Sequence, residues 1–120
     1  MARVLVCDDA VFMRMTIRET LEKAGHEIVA EADNPEEAAR LFERLKPDIV
    51  TMDLLMKTPG VEGIKKIIGI DTLAKIIIVS VLGEQEGEVV DAIRAGALGI
   101  VSKPVKREML VAEVARVLKK

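Results

Sequence analysis

Hydrophobic and polar residues alternate in blocks along this chain. Short, continuous apolar runs rich in Val and Ile are separated by stretches in which apolar residues recur with helical spacing. Such runs, bounded by Gly, Pro or acidic residues, are typical of buried β-strands. They predict strands at Arg3–Cys7, His26–Ala32, Asp48–Asp53 and Lys75–Leu82, and a fifth within residues 97–104.

The intervening stretches predict helices, and the clearest of them follows Asn34. Asn34 can cap the helix, Pro35 suits its first turn, and Glu37 stands three residues after the cap as in a capping box. Gly25 and Gly96 are natural stops for two other helices. The predicted helices cover residues 11–25, 34–47, 62–70, 84–96 and 106–120.

Strand and helix therefore alternate five times, which predicts the fold class. Apolar strands that are each followed by a helix imply a parallel sheet covered on both faces. Right-handed crossovers give a doubly wound α/β architecture, and the 120 residues suit a single domain over residues 1–120. In such folds a ligand binds outside the carboxyl ends of the strands.

Composition excludes several classes of function. The net charge is −2, from 18 basic and 20 acidic residues, so there is no basic excess for nucleic-acid binding. With two Phe and no Tyr or Trp, aromatic stacking on single-stranded nucleic acid is also disfavoured. No apolar run approaches the ~20 residues of a membrane span. The single cysteine, Cys7, cannot form an internal disulfide, and we expect a cytoplasmic protein.

Polar residues follow the predicted strands at one end of the sheet. Asp8 and Asp9 end the first strand, Asp53 ends the third, Ser80 lies near the end of the fourth and Lys103 ends the fifth. Because the carboxyl ends of parallel strands meet at one edge, we expect these five residues to converge there.

The chemistry of this set favours phosphoryl transfer. Clustered carboxylates raise one another's pKa unless a counter-charge is present, and Mg²⁺ is a cation that pairs carboxylate oxygens with a phosphate. Lys103 adds a point charge for an anionic oxygen, and Ser80 adds a hydroxyl. Asp53 ends the central strand, so we expect it to be the nucleophile.

Each residue taken singly has an ordinary structural explanation. An Asp-Asp pair before a helix often caps it, a Ser in a buried strand often belongs to the core, and a Lys before Pro often lies on a solvated loop. The shared strand edge favours a common site over these separate explanations.

Several motifs together resemble response-regulator receiver domains, and in particular stand-alone CheY-like chemotaxis regulators. They are "VCDDA", "PDIVTMDLLM", "IIIVSVL" and "RAGALGIVSKP", with the spacing between them. The resemblance covers essentially the whole chain. It implies a flavodoxin-like (βα)5 fold with a five-stranded parallel sheet in the order 2-1-3-4-5, and the function of a single-domain response regulator in a two-component phosphorelay.

The resemblance also implies roles for individual residues. Asp53 accepts a phosphoryl group from a histidine kinase. Asp9, Asp53 and the backbone carbonyl of Leu55 ligate Mg²⁺ directly, and Asp8 acts through water. Ser80 is a switch hydroxyl, Lys103 contacts a phosphoryl oxygen, and the Lys103–Pro104 bond is cis.

The partners it implies are a CheA-like histidine kinase and an output protein such as a flagellar switch or adaptor component. No nucleic acid or membrane is involved, and we expect a monomer. The regulator would catalyse only its own phosphorylation and dephosphorylation, and would not be an enzyme in the usual sense.

The chain departs from the family pattern at three places. Two extra residues near Lys57 and Thr58 predict a longer, more mobile loop after Asp53. An Ile, Ile100, expected to be buried, occupies the position where the family often carries an aromatic switch residue, so the output face within residues 83–120 would use different residues. Apolar Val81, Leu82 and Leu55 are expected to restrict the attacking water and prolong the phosphorylated state.

Phe12 and Met13, just after the acidic pair, fit either core packing or contact with a docking kinase.

Two alternative functions stay open. A shuttle receiver would pass its phosphoryl group to another histidine domain. An aspartyl phosphatase of the haloacid dehalogenase type would need an acid at the position of Leu55 and a substrate-selecting cap.

Overall fold

The computed structural model describes residues 1–81 and 83–120 and shows the predicted alternation of strands and helices. The strands are β1 (Arg3–Cys7), β2 (Glu27–Ala32), β3 (Ile49–Asp53), β4 (Ile76–Val81) and β5 (Gly99–Lys103). The helices are α1 (Val11–Lys23), α2 (Pro35–Leu45), α3 (Gly60–Ile70), α4 (Glu86–Ala95) and α5 (Arg107–Leu118).

All strand pairs are parallel, and the sheet order is β2-β1-β3-β4-β5. The predicted doubly wound α/β fold and its strand order are therefore confirmed. Helices α1 and α5 pack together on one face, while α2, α3 and α4 pack in sequence on the other. Asp53 thus ends the central strand, between β1 and β4.

The core is aliphatic and divided by the sheet into two clusters. One lies under α2, α3 and α4 and includes Leu5, Met52 and Ile64; the other lies under α1 and α5 and includes Val6 and Leu110. Strands β1, β3 and β4 are almost wholly buried, whereas the edge strands β2 and β5 are only partly buried. The expectation that every strand is covered on both faces holds only for the three inner strands.

Local sequence explains how several helices begin and end. The Asn34 side chain accepts a hydrogen bond from the Glu37 amide at 2.8 Å, and Pro35 is the first residue of α2, as predicted. Gly25, with φ of +93°, follows α1, and the amide of His26 donates to the Leu21 carbonyl at 3.0 Å. Helix α2 ends before Pro47 because Lys46 adopts a left-handed conformation.

Element ends differ from the predictions by one or two residues. The largest difference that affects the site is α3, which begins at Gly60 and not at residue 62. The predicted end of the fourth strand at Leu82 lies outside the described residues. None of the helices over residues 1–81 and 83–120 combines the length and apolar character needed to cross a bilayer.

The segment from Leu54 to Pro59 connects β3 to α3 and lies close against the sheet. The Gly60 amide donates to the Leu54 carbonyl at 3.1 Å, and a Cβ on Gly60 would overlap the Asp53 carbonyl oxygen. Leu54 and Met56 are buried, so the segment is anchored to the core. The two extra residues are accommodated in six linking residues; the greater mobility expected of this segment stays a prediction.

Candidate functional site

Strand ends bring three carboxylates together at one edge of the sheet. Asp8 and Asp9 follow β1, and Asp53 is the last residue of β3, the neighbouring strand. One carboxylate oxygen from each of the three residues lies within 4.8 Å of the others. Asp8 and Asp53 are almost completely buried, whereas Asp9 is exposed.

Lys103, the last residue of β5, reaches across to these acids. Its Nζ lies 3.2 Å from Oδ1 of Asp53 and 3.7 Å from Oδ2 of Asp8. The peptide bond that follows, Lys103–Pro104, is cis, as predicted. One ammonium group therefore pairs with two buried carboxylates of the cluster.

The Asp8 backbone and side chain are held by the turn between β1 and α1. The Asp8 amide donates to the Ala32 carbonyl at 3.0 Å, and Oδ1 of Asp8 accepts a hydrogen bond from the Ala10 amide at 2.9 Å. Ala10 is the residue that precedes α1, and no side chain caps that helix. The simple capping explanation for the acidic pair is therefore wrong, because the Asp8 carboxylate braces the turn and faces the acidic cluster.

Asp53 is held in a similar way on its own side of the cluster. Its Oδ1 accepts hydrogen bonds from the Leu55 amide and from Nζ of Lys103, both at 3.2 Å. The Leu55 side chain is 64% exposed. Leu55 therefore contacts the site through its backbone, while its side chain lies at the protein surface.

Ser80 is buried near the end of β4, one residue after Val79, which pairs with Asp53 across the sheet. It lines a pocket of about 400 Å³ between the β4–α4 loop and β5, together with Gln85 and Ile100. Ile100 is 42% exposed, which corrects the expectation of a buried Ile, because β5 is an edge strand that is only partly buried.

Comparison with known proteins decides the family. The chain matches the response regulator receiver domain over residues 4–115. It is 45% identical over 118 residues to the chemotaxis protein CheY of Thermotoga maritima and 41% identical over 117 residues to that of Bacillus subtilis. These alignments cover 98% and 97%, respectively, of both the chain and the relative.

The chain belongs to the response-regulator receiver domain family.

Solved structures agree with this assignment. A two-component response regulator of the LuxR family from Aurantimonas sp. SI85-9A1 superposes with a TM-score of 0.91 at 34% identity, over 99% of this chain and 86% of that one. The response regulator domain of Thermotoga maritima CheB superposes with a TM-score of 0.81 at 30% identity, over 98% of this chain and 92% of that one. The predicted resemblance is confirmed, and the shuttle and phosphatase alternatives are not favoured.

As a receiver domain related to CheY, the chain is a regulator and not a classical enzyme. Membership implies a histidine kinase as the upstream partner and a downstream target. Receiver domains use Mg²⁺ at an acidic pocket, and the three aspartates form such a pocket here.

The residues present fit a hard divalent cation. Oδ2 of Asp8 is buried and has no hydrogen-bond partner among the described residues; Lys103 approaches it only at ion-pair distance. A buried carboxylate oxygen without a partner costs free energy unless a cation satisfies it. All the donors in the cluster are carboxylate oxygens, which Mg²⁺ prefers.

Electrostatics in this receiver pocket favour a counter-ion. Burial raises the pKa of Asp8, with neighbouring Asp53 adding to the effect, while the hydrogen bond from Ala10 opposes it. Burial likewise raises the pKa of Asp53, and Lys103 opposes the shift. Cys7 is a buried core residue, and burial raises the pKa of its thiol to about 12.

Sequence reasoning missed two residues that hold this site. Nη1 of Arg14, on α1, donates to the backbone carbonyl of Asp8 at 2.6 Å. Oε1 of Gln85, buried before α4, accepts a hydrogen bond from the Val81 amide at 2.9 Å, next to Ser80. Both contacts go to backbone atoms, which carry no residue-specific pattern in the sequence.

The structure distinguishes Phe12 from Met13, and contact of either residue with a docking kinase stays a prediction. Phe12 is 82% exposed, whereas Met13 packs against the core under α1 and α5. Phe12 stands on the first turn of α1, near the acidic pocket and outside the core.

Proposed function

We propose that this protein is a single-domain response regulator that accepts a phosphoryl group on Asp53 from a phosphohistidine of a histidine kinase. It then signals by phosphorylation-dependent binding in chemotaxis or motility. The observation that carries the proposal is the position of Asp53: a buried carboxylate at the end of the central strand, beside the Lys103 ammonium and the Asp8 and Asp9 carboxylates.

The metal ligands in this proposal are Asp9, Asp53 and the backbone carbonyl of Leu55, with Asp8 acting through water. The partnerless Oδ2 of Asp8 and the all-oxygen donor set support Mg²⁺. When bound, Mg²⁺ supplies positive charge that stabilises the negative oxygens of the transferring phosphoryl group.

In the transfer step, a carboxylate oxygen of Asp53 attacks phosphorus. The new P–O bond forms as the P–N bond breaks, and the electron pair of that bond stays on the departing imidazole nitrogen, which takes up a proton. Both hydrogen bonds described for Asp53 go to Oδ1, which leaves Oδ2 as the attacking oxygen. Lys103, already at the site, binds a phosphoryl oxygen of the product.

Ser80 acts as the switch hydroxyl that follows the phosphoryl group. It is buried and lines the pocket that extends to Ile100, so a rotation of Ser80 would change the packing of that pocket. Because Ile100 carries no hydroxyl and is partly exposed, its movement alters apolar contacts at the surface.

The output face lies on α4, β5 and α5, within residues 83–120. Five exposed large apolar side chains lie there: Val90, Ile93, Leu98, Ile100 and Met109. We assign the kinase to the CheA type and the target to a flagellar switch or adaptor component, because the chain is similar to several chemotaxis proteins. The unphosphorylated protein is expected to sediment as a monomer.

Labelling with acetyl phosphate tests the acceptor. The wild type with Mg²⁺ is expected to take up one acid-stable, base-labile phosphoryl group, and Asp53→Asn none. Asp91→Asn, which neutralises a carboxylate on the exposed face of α4, is the matched control and should label fully. Undiminished labelling of Asp53→Asn would overturn the assignment. Beryllofluoride binding that requires both Mg²⁺ and Asp53 would support it independently.

A further inference from the structure

Arg14 joins the acidic turn to the edge of the sheet. It lies on α1, and its side chain is only 18% exposed. Nη1 donates to the backbone carbonyl of Asp8 at 2.6 Å, and Nε donates to Oε1 of Glu31 on β2 at 3.1 Å. The planar guanidinium thus bridges the Asp8–Asp9 peptide and a side chain on a neighbouring strand.

This contact completes the set of bonds that fix Asp8. Its amide is bonded to Ala32, its Oδ1 to Ala10 and its carbonyl to Arg14. The carbonyl belongs to the same planar peptide unit as the Asp9 amide, so fixing the carbonyl also fixes the direction in which the chain enters Asp9.

Of the three acids, Asp9 depends most on the position of its backbone. It is exposed, whereas Asp8 and Asp53 are held by burial and by hydrogen bonds to their carboxylates. An exposed side chain keeps several rotamers, and its ability to meet the other two carboxylates depends on where its backbone is placed.

We infer that Arg14 is a positioning residue for the divalent cation: by holding the Asp8 carbonyl it sets the Asp8–Asp9 turn in the conformation that directs the Asp9 carboxylate toward Asp8 and Asp53. The inference rests on the proposed metal site. Groups that orient ligands in this way typically contribute 10- to 100-fold to metal affinity.

The chain supplies a matched control in Arg18, one helical turn further along α1. Arg18 bonds Oε2 of the same Glu31 at 2.6 Å and also pairs with Glu22, but it makes no contact with Asp8 in the described part of the chain. Replacing Arg14 or Arg18 by Gln removes one positive charge and one bond to Glu31 in each case. Only Arg14→Gln also removes the bond to the Asp8 carbonyl.

In the test, Mg²⁺ alone is titrated into the protein. Binding is measured from the thermal unfolding midpoint and from the amide resonances of Asp8 and Asp9. Arg14→Gln is expected to raise the dissociation constant for Mg²⁺ about 10-fold or more, and Arg18→Gln less than about 2-fold. Without metal, the amide resonance of Asp9 should move in Arg14→Gln and stay near its wild-type position in Arg18→Gln.

The outcomes separate this inference from the proposed function. Equal loss of Mg²⁺ affinity in both variants would show a general charge effect and overturn the positioning role. Absence of Mg²⁺ binding by the wild type would instead refute the metal site itself. Should Arg14→Gln not fold, Arg14→Lys keeps the charge without the planar fork and is expected to weaken binding more than Arg18→Lys; equal effects would again overturn the inference.

Discussion

The ammonium group of Lys103 lies 3.2 Å from Oδ1 of Asp53 and 3.7 Å from Oδ2 of Asp8, two of three clustered carboxylates. The pocket therefore carries a formal excess of negative charge in a largely buried place. Burial raises the folded-state pKa of Asp8 and Asp53, the neighbouring carboxylates add to the effect, and the pocket is thereby suited to a divalent cation. The same imbalance should be measurable as a cost to stability when no metal is present.

We expect Asp8→Asn to stabilise the metal-free protein by about 1 kcal/mol, because it removes one buried like charge while keeping the oxygen that accepts the Ala10 amide. The stabilisation that Mg²⁺ gives the wild type should be largely lost in this variant. Urea unfolding with and without Mg²⁺ measures both effects. A variant less stable than the wild type without metal would contradict the charge argument.

The direction in which stability changes with pH follows from the raised pKa values of Asp8 and Asp53. A carboxyl group with a raised folded-state pKa binds protons more readily in the folded than in the unfolded protein. For Asp8 and Asp53, stability of the metal-free protein should thus rise as the pH falls from 7 toward their ordinary pKa range. The difference between wild-type and Asp8→Asn unfolding free energies should shrink over that interval.

His26 should lower the stability of the protein as the pH falls, which is opposite to the effect of Asp8 and Asp53. Its Nδ1 accepts a hydrogen bond from the Ala2 amide at 3.0 Å, and burial, with the N-terminal charge, lowers its pKa. The stability that depends on neutral His26 is present above the unfolded-state pKa of about 6.5 and is lost as the pH falls toward its lower folded-state pKa. Subtracting the unfolding free energies of His26→Gln from those of the wild type between pH 8 and 5 should isolate this loss, and a flat difference would contradict it.

The open edge of β5 is closed by a side-chain pair on α5. Oε2 of Glu113 accepts the Ile100 amide at 2.9 Å, and Arg116 donates to the Leu98 carbonyl at 3.0 Å while also pairing with Glu113. Gly99 provides the space for the Glu113 side chain, because a Cβ at this position would lie 2.6 Å from Oε2 of Glu113. These bonds satisfy edge groups that would otherwise invite pairing with another strand.

In Glu113→Ala we expect hydrogen exchange of the Ile100 amide to accelerate by about 10-fold or more, with a stability loss of about 1 kcal/mol. Glu108→Ala, an exposed acid on the same helix, should leave this amide unchanged. Unaltered exchange at Ile100 in Glu113→Ala would show that the contact does not protect the edge.

Val81 should slow loss of the phosphoryl group. It follows Ser80, is partly buried, and lines the same pocket as Ser80 with an apolar side chain. We expect Val81→Ala to accelerate hydrolysis of the acyl phosphate by a factor of about 3 to 10, corresponding to about 1 kcal/mol of barrier. The time course of phosphate release from the isolated protein gives the rate; hydrolysis in the wild type as fast as in typical chemotaxis regulators would count against the idea. Of the other two residues expected to act here, Leu55 is exposed and Leu82 lies outside the described residues.

Much of this protein could be predicted from its sequence because the governing physics is local. Apolar runs and helical spacing depend on neighbouring residues, and they predicted all five strands and five helices. The rule that parallel strands present their carboxyl ends at one edge then placed Asp8, Asp9, Asp53 and Lys103 together. The Asn34 cap is likewise a local feature, contained within four residues.

Only the tertiary structure decided the contacts between distant segments and the backbone. The bridge from Arg14 to Glu31, the closure of β5 by Glu113 and the exposure of Phe12 depend on how helices lie against the sheet. The close approach of Gly60, the first residue of α3, to the Asp53 carbonyl is likewise a contact that only the tertiary structure shows. Periodicity in a sequence specifies which face of an element is apolar, but the rotation and offset with which two elements pack follow from the shapes of all the side chains between them.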